Sequence, residues 1–178
     1  MKPHPLILVL GGARSGKSRY AEQLAVRSAR PVTYLATAGA PRDDEMRERI
    51  SLHRTRRPAE WATVEVPLAL GEAIGATEGV ALVDCLTLWL TNVVLAEMDA
   101  EREMVALVAA MAARTGPVVA VANEVGEGIV PTSALGRRFR DLQGVLNQRV
   151  AAAATDVVKL VAGCPLIVKP RNEPEPQL

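Results

Sequence analysis

Aromatic side chains make up only 3% of this 178-residue chain, too few to supply the exposed rings on which a single-strand nucleic-acid platform stacks bases. A core built from this sequence must rest on Val, Leu, Ile and Ala. Net charge is almost absent as well. The chain has 21 Lys and Arg against 20 Asp and Glu, a balance of +1, so no overall field draws in DNA or an anionic membrane, and any anion site has to be local. Cysteine is limited to Cys85 and Cys164. Both lie in apolar runs at no metal-ligand spacing, which predicts two small buried hydrophobes and no disulfide. Long apolar runs are missing too. The first, at 6–10, resembles a signal peptide for a few positions but is too short and leads into a charged Gly-rich loop. No membrane span and no nucleic-acid partner are expected, and the chain is expected to be cytoplasmic.

At 49% hydrophobic and 23% charged residues the chain has the balance of a globular protein. One domain is expected over 1–169, with a loose Pro- and Glu-rich tail over 170–178. Apolar runs at 6–10, 32–36, 80–83, 118–122 and 157–161 alternate with longer helix-like stretches, the pattern of an α/β fold with a mainly parallel sheet and helices on both faces. Residues 164–169 read as a closing strand. Leu135, Phe139, Leu142, Leu146 and Val150 recur at steps of three or four and predict an amphipathic helix over 134–154. The least regular stretches, 37–43 and 123–133, each follow a predicted strand, where parallel sheets keep their ligand loops.

The strongest motif follows the first strand. Gly11-Gly12-Ala13-Arg14-Ser15-Gly16-Lys17-Ser18 satisfies G-x-x-x-x-G-K-[ST] and leads into a helical pattern. Its glycines allow backbone N–H groups to turn toward phosphate oxygens, and the helix N-terminus adds partial positive charge there. Lys17 then reaches the β- and γ-phosphates while the Ser18 hydroxyl ligates Mg²⁺. The strand at 80–83 closes on Asp84, which suits a carboxylate holding that Mg²⁺ through water and equally suits an N-cap for a helix starting at Leu86. The two roles are compatible, and the adjacent phosphate loop favours the metal role. No Asn-Lys pair of a guanine-specific switch protein is present. No G-x-G-x-x-G dinucleotide fingerprint follows a strand, and the one D-x-x-G match, at 141–144, falls inside a predicted helix.

Residues 43–58 begin acidic and end basic, as a helix dipole prefers, and Pro58 ends the segment. One reading is a solvated helix with Met46 and Ile50 turned inward and His53 as an ordinary interfacial residue. The other notes that Arg49, Arg54, Arg56 and Arg57 disfavour protonation of His53, leaving a neutral imidazole as a nucleophile beside cations able to clamp a phosphate chain.

Several segments together resemble one family, the bifunctional adenosylcobinamide kinase and adenosylcobinamide-phosphate guanylyltransferase of cobalamin assembly. They are GGARSGKSRYAE, YLATA, DDEMRERI, HRTRRPAEW, LVDCLTLWLTN, ANEVGEGIVP and RRFRDLQGVLNQRVA, which run along nearly the whole chain. The resemblance implies a RecA-like P-loop NTPase fold, a homo-oligomer (often a trimer), and two reactions. ATP or GTP phosphorylates adenosylcobinamide, and GTP then transfers GMP to that phosphate, releasing pyrophosphate, by way of a guanylylated histidine. Carried over by motif, His53 is the nucleophile, and Ala36, Thr37, Ala38, Arg54, Thr55, Arg56, Arg57, Glu65 and Asp84 contact GTP. Glu65 has the chemistry to accept both N–H edges of guanine, and reads otherwise as a plain strand-end carboxylate. Some relatives carry two adjacent histidines where this chain has Leu52 and His53. The loop Asn123–Pro131, with Asn123 and Glu124 as its first residues, is assigned to the corrinoid, its alternative being a Gly-rich surface turn held by an Asx motif. A P-loop kinase of another small metabolite would share the phosphate loop and Asp84 without needing His53, and a GTP-binding sensor would need no turnover at all.

Overall fold

The computed structural model describes residues 4–39, 44–55 and 57–170; the side chains of residues 45, 46, 49, 50, 52 and 53 lie outside that description. In chain order the elements are β1 (Leu6–Gly11), α1 (Lys17–Arg27), β2 (Val32–Ala36), α2 (Asp44–Thr55), β3 (Ala62–Glu65), α3 (Leu70–Ala76) and β4 (Val80–Asp84). They continue with α4 (Leu86–Leu95), α5 (Ala100–Ala113), β5 (Val118–Asn123), α6 (Ala134–Ala153), β6 (Asp156–Val161) and β7 (Cys164–Lys169). The strands form one sheet in the order β3-β2-β4-β5-β1-β6-β7. Every pairing is parallel except that of β7 with β6. The five apolar runs and the long helix lie where the sequence places them.

Alternation along each strand sends successive side chains to opposite faces and so builds two cores. On one face Leu8, Leu35, Val83 and Ala120 pack with Leu70, Trp89, Leu90, Met104, Leu107 and Leu146 from α3, α4, α5 and α6. On the other, Val9, Tyr34, Leu82 and Val121 pack with Ala21 and Ala25 of α1. Because both faces are covered, the central strands are apolar throughout, and each fully buried Leu contributes about 1.5–3 kcal/mol.

β3 was not foreseen as an apolar run, for a physical reason: all four of its residues are exposed at the sheet edge, so no periodicity marks it. At the opposite edge β7 corrects an expectation. Cys85 is buried, but Cys164 is exposed, as are Leu166, Ile167 and Val168. An apolar run normally signals burial, yet here it forms an edge strand that the described residues leave uncovered. β7 folds back on β6 through Ala162 and Gly163, with φ of 50° and 82°, the left-handed pair that a two-residue hairpin requires. Among the described residues no helix is long and apolar enough to cross a membrane.

The end of the sheet away from the phosphate loop is clasped by Arg114. Its Nε donates to Ile74 O at 3.0 Å, Nη1 to Pro117 O at 2.7 Å, and Nη2 to Thr77 O and Gly79 O at 2.8 and 2.9 Å. Gly79 has φ of 68°, and a Cβ there would stand 2.1 Å from Pro31 O, so only glycine fits the turn that feeds β4. Replacing Arg114 by Ala removes a donor from four carbonyls in one step, of which Pro117 O and Ile74 O keep a backbone donor. Arg114→Ala is expected to cost about 2 kcal/mol, discounted for the partial exposure of the group, and to lower the urea midpoint accordingly. A change under about 0.5 kcal/mol would mean that the clasp contributes only what any surface residue does.

Candidate nucleotide site

The phosphate loop is shaped by close packing at its base. Gly11 ends β1 between Asn123 of β5 and Leu160 of β6, and a Cβ on it would lie 2.4 Å from Ser15 Oγ and 3.0 Å from Leu160 O. Arg14 and Gly16 both take positive φ, 55° and 93°, which turns the chain back before α1 begins at Lys17. The hairpin between β6 and β7 braces the loop from outside, Gly163 N donating to Ser15 O at 3.1 Å. Lys17 Nζ donates to Gly12 O at 3.0 Å, so the ammonium already lies along the loop whose phosphates it is expected to meet.

Ser18 and Asp84 come together as the sequence suggested: Ser18 Oγ donates to Asp84 Oδ1 at 3.2 Å. The second carboxylate oxygen, Oδ2, accepts from Tyr34 Oη at 2.6 Å. Asp84 is therefore turned toward the phosphate loop, and the alternative of an N-cap is corrected. The cap position of α4 belongs to Cys85, with no side-chain cap bond. Burial, and then the neighbouring Asp84 charge, push the Tyr34 phenol far above its ordinary range, which keeps it protonated as a donor.

The end of β2 is locked to the end of β4. Thr37 is fully buried. Its Oγ1 donates to Cys85 O at 2.7 Å and accepts from Cys85 N at 2.8 Å, while Asn92 Nδ2 donates to Thr37 O at 2.8 Å and to Pro67 O at 3.1 Å. The hydroxyl of Thr37 thus serves the scaffold of the site, and Ala36 and Ala38, both half-buried, flank it. Burial and the charge of Asp84 push the Cys85 thiol up to about 11.

Of the basic segment, Arg54 and Arg57 are described with their side chains, whereas Arg56 and the side chain of His53 lie outside the described residues. Arg54 Nη2 pairs with Glu65 Oε1 at 2.5 Å, and both groups are well exposed. The carboxylate expected to read guanine is thus engaged by an arginine. The Arg57 guanidinium lies over the Tyr34 ring, 3.4 Å from its centroid, within cation–π range. Arg54, Arg57, Trp61 and Glu65 share a surface recess of about 450 Å³. Thr55 closes α2 and is exposed.

Asn123 and Glu124 stand at the end of β5, the strand between those that carry Gly11 and Asp84. Glu124 N donates to Gly11 O at 3.1 Å, so the following loop starts against the phosphate loop. Glu124 Oε1, rather than an Asx turn from Asn123, holds that loop by accepting from Gly126 N at 2.9 Å. Lys159 pairs with Glu127 and Arg140 donates to Gly126 O, fixing the loop further. A buried amide chain reaches the same strand end. Gln143 Nε2 donates to Asn147 Oδ1 at 2.8 Å, and Asn147 Nδ2 donates to Asn123 O at 3.1 Å. Sequence reasoning missed Tyr34, Gln143 and Asn147 because each sits in an apolar strand or amphipathic helix where nothing in the spacing distinguishes it.

A strand–phosphate loop–helix unit, with a serine facing a carboxylate one strand beyond the neighbouring strand, defines a nucleotide-binding protein of the P-loop NTPase fold. The fold is shared with flagellar accessory protein FlaH from Methanocaldococcus jannaschii, at a TM-score of 0.52 and 16% identity over 94% of this chain and 79% of that one. The family described as cobinamide kinase / cobinamide phosphate guanyltransferase matches residues 7–168, and the chain belongs to it. The bifunctional adenosylcobalamin biosynthesis protein CobP of Pseudomonas aeruginosa is 47% identical over 91% of this chain and 96% of its own length. CobU of Escherichia coli, described in the same words, is 42% identical over 92% and 99%.

The contrasting cysteines give a direct check. The thiolate is the reactive form, and with Cys85 at about 11 only about one such thiol in a thousand is ionised at pH 8. An aromatic disulfide reagent at pH 8 is expected to titrate one thiol of the native protein quickly, Cys164, and the second only after unfolding. Two fast equivalents would show that Cys85 is not sealed beneath the site.

Proposed function

We propose that this chain phosphorylates adenosylcobinamide with ATP or GTP and then transfers GMP from GTP to the resulting phosphate, giving adenosylcobinamide-GDP and pyrophosphate. The observation that carries this reading is the Ser18–Asp84 contact at 3.2 Å at the mouth of a complete phosphate loop, in a chain of the kinase and guanyltransferase family. In the first reaction the aminopropanol hydroxyl oxygen attacks the γ-phosphorus, the bond to the β–γ bridging oxygen breaks, and the nucleoside diphosphate leaves. Residues Gly11, Gly12, Ala13, Arg14, Ser15 and Gly16 wrap the phosphates with backbone N–H groups, and Lys17 offsets the charge that builds on the leaving oxygens.

Mg²⁺ fits the residues present. Ser18 Oγ and the Asp84 carboxylate are adjacent oxygen donors, the ligand type that Mg²⁺ prefers, and they would hold the ion directly or through water. Among the described residues there is no cluster of three or more His, Cys, Asp or Glu, consistent with an ion that arrives with its nucleotide. When bound, Mg²⁺ neutralises charge on the transferring phosphoryl group.

The second reaction is assigned to His53, which lies on α2 two residues before the helix ends. An imidazole nitrogen attacks the α-phosphorus of GTP, and the bond to pyrophosphate breaks. The phosphate oxygen of adenosylcobinamide phosphate then attacks the same phosphorus, and the P–N bond breaks to return the imidazole. Arg54, Thr55, Arg56, Arg57, Ala36, Thr37, Ala38 and Glu65 surround the GTP in this reading, and Asn123 and Glu124 face the corrinoid. For Glu65 to read guanine, its pair with Arg54 must open or share the carboxylate, which the exposure of both groups permits. The tail expected after residue 169 lies, from residue 171 on, outside the described residues, and the working unit is a single domain over residues 1–169. It acts in the cytoplasm as a homo-oligomer, a trimer by family resemblance, and the uncovered apolar edge at Leu166, Ile167 and Val168 supports association.

Incubation with Mg²⁺ and GTP labelled at the α-phosphate is expected to leave acid-labile, alkali-stable label on the protein. His53→Ala should keep nucleotide binding and lose both the label and guanylyl transfer; transfer at the wild-type rate in that variant would remove His53 from the mechanism. Lys17→Ala is expected to slow both reactions by about a hundredfold or more, and normal rates would mean that the phosphate loop does not hold the reacting triphosphate.

A further inference from the structure

Tyr34 occupies a position that core packing alone does not explain. It is 2% exposed and lies on β2, where Ala36, two residues on, pairs with Asp84. Two residues along a strand return to the same face, so the long ring spans from the core up to the Asp84 carboxylate. A buried phenol needs an acceptor, and this one takes Asp84 Oδ2 at 2.6 Å, while Ser18 Oγ takes Oδ1 at 3.2 Å. The two hydroxyls fix the carboxylate's rotation from both sides. The face of the same ring carries the Arg57 guanidinium at 3.4 Å. Arg57 as a whole is only half-buried and lines the recess beside Arg54 and Glu65, so its guanidinium can be reached by a phosphate oxygen.

We propose that Tyr34 is a positioning residue for both reactions: its hydroxyl sets the Asp84 carboxylate against Ser18, and its ring sets the Arg57 guanidinium, so one side chain ties the phosphate loop to the segment that follows α2. This rests on the bifunctional reading above. The hydroxyl contact governs the Mg²⁺-linked part of nucleotide binding, which both reactions share. The ring contact governs where Arg57 meets the phosphate chain, which matters most when the α-phosphorus is attacked from the side of α2.

The two contacts separate in variants. Tyr34→Phe removes the hydroxyl and keeps the ring; Tyr34→Leu removes both; Arg57→Ala removes only the cation. GTP affinity is measured calorimetrically with and without Mg²⁺, beside the kcat and KM of each reaction. For Tyr34→Phe the Mg²⁺-free affinity should stay within about twofold of wild type. The gain on adding Mg²⁺ should shrink by about tenfold, the size of one hydrogen bond to a charged group. Its two kcat values should fall together, with the corrinoid KM unchanged. Tyr34→Leu should in addition lower transfer relative to phosphorylation by about tenfold, and Arg57→Ala should lower that ratio similarly while keeping the full Mg²⁺ gain. A full Mg²⁺ gain in folded Tyr34→Phe would overturn the hydroxyl half, and an unchanged ratio of the two rates in Arg57→Ala would overturn the ring half. If Tyr34→Phe does not fold, judged by circular dichroism, Tyr34 is a core residue and the proposal fails. If the wild-type protein performs neither reaction, the bifunctional reading fails, while the Mg²⁺-linked affinities still decide whether Tyr34 sets Asp84.

Discussion

Two hydroxyls converge on one carboxylate in this protein, and the arrangement of the candidate site depends on that convergence. Ser18 reaches Asp84 from the first turn of α1, and Tyr34 reaches it from β2. A carboxylate held from both sides loses its freedom to rotate before any ligand arrives. A half-buried charge is tolerable in such a place because both of its oxygens accept hydrogen bonds. The cost appears in its neighbours: the buried Cys85 thiol and Tyr34 phenol are both pushed toward their neutral forms, by burial first and by the charge of Asp84 second.

Around that carboxylate the scaffold is locked through backbone groups rather than through ion pairs. Thr37 exchanges two hydrogen bonds with the peptide groups of Cys85, and Asn92 ties Thr37 to Pro67. On the far side, Gln143 and Asn147 fix the end of β5, and Glu124 N meets the carbonyl of Gly11. Four strand ends, those of β2, β4, β5 and β1, are thereby held at the crevice where parallel sheets place their ligands. The more exposed pairs, Arg54 with Glu65 and Lys159 with Glu127, hold the rim of the site. Solvent-screened pairs of this kind are weak, so they add little to the stability of the rim.

The sheet order also sets which loops can flank the phosphate loop. β4, with Asp84, and β1, with Gly11, are separated by β5, whereas β2 and β3 lie on the other side of β4. The loop after β5 therefore starts between Gly11 and Asp84, whereas β3, and the segment that leads to it from β2, lie beyond β4.

Much of this was legible in the amino-acid sequence. The five apolar runs and the amphipathic helix over 134–154 follow from the periodicity of burial, and the phosphate loop follows from glycines that only a tight turn between strand and helix requires. Asp84 was legible because a strand ended on it. Cys164 misled, since an apolar run reports hydrophobicity and not whether a helix covers it, and β3 was silent because an exposed edge strand carries no alternation. Tyr34, Gln143 and Asn147 could not be read at all, and Thr37 was legible only through the family resemblance, as a nucleotide contact rather than as a tie between strand ends. Their roles arise from hydrogen bonds between residues far apart in the chain, such as Tyr34 with Asp84 and Asn147 with Asn123. The sequence by itself determined the local chemistry: which strands form, where the chain turns, and which loop can hold phosphate. Only the tertiary structure decided which polar groups meet, because strand order and register, not spacing along the chain, set the distances between them.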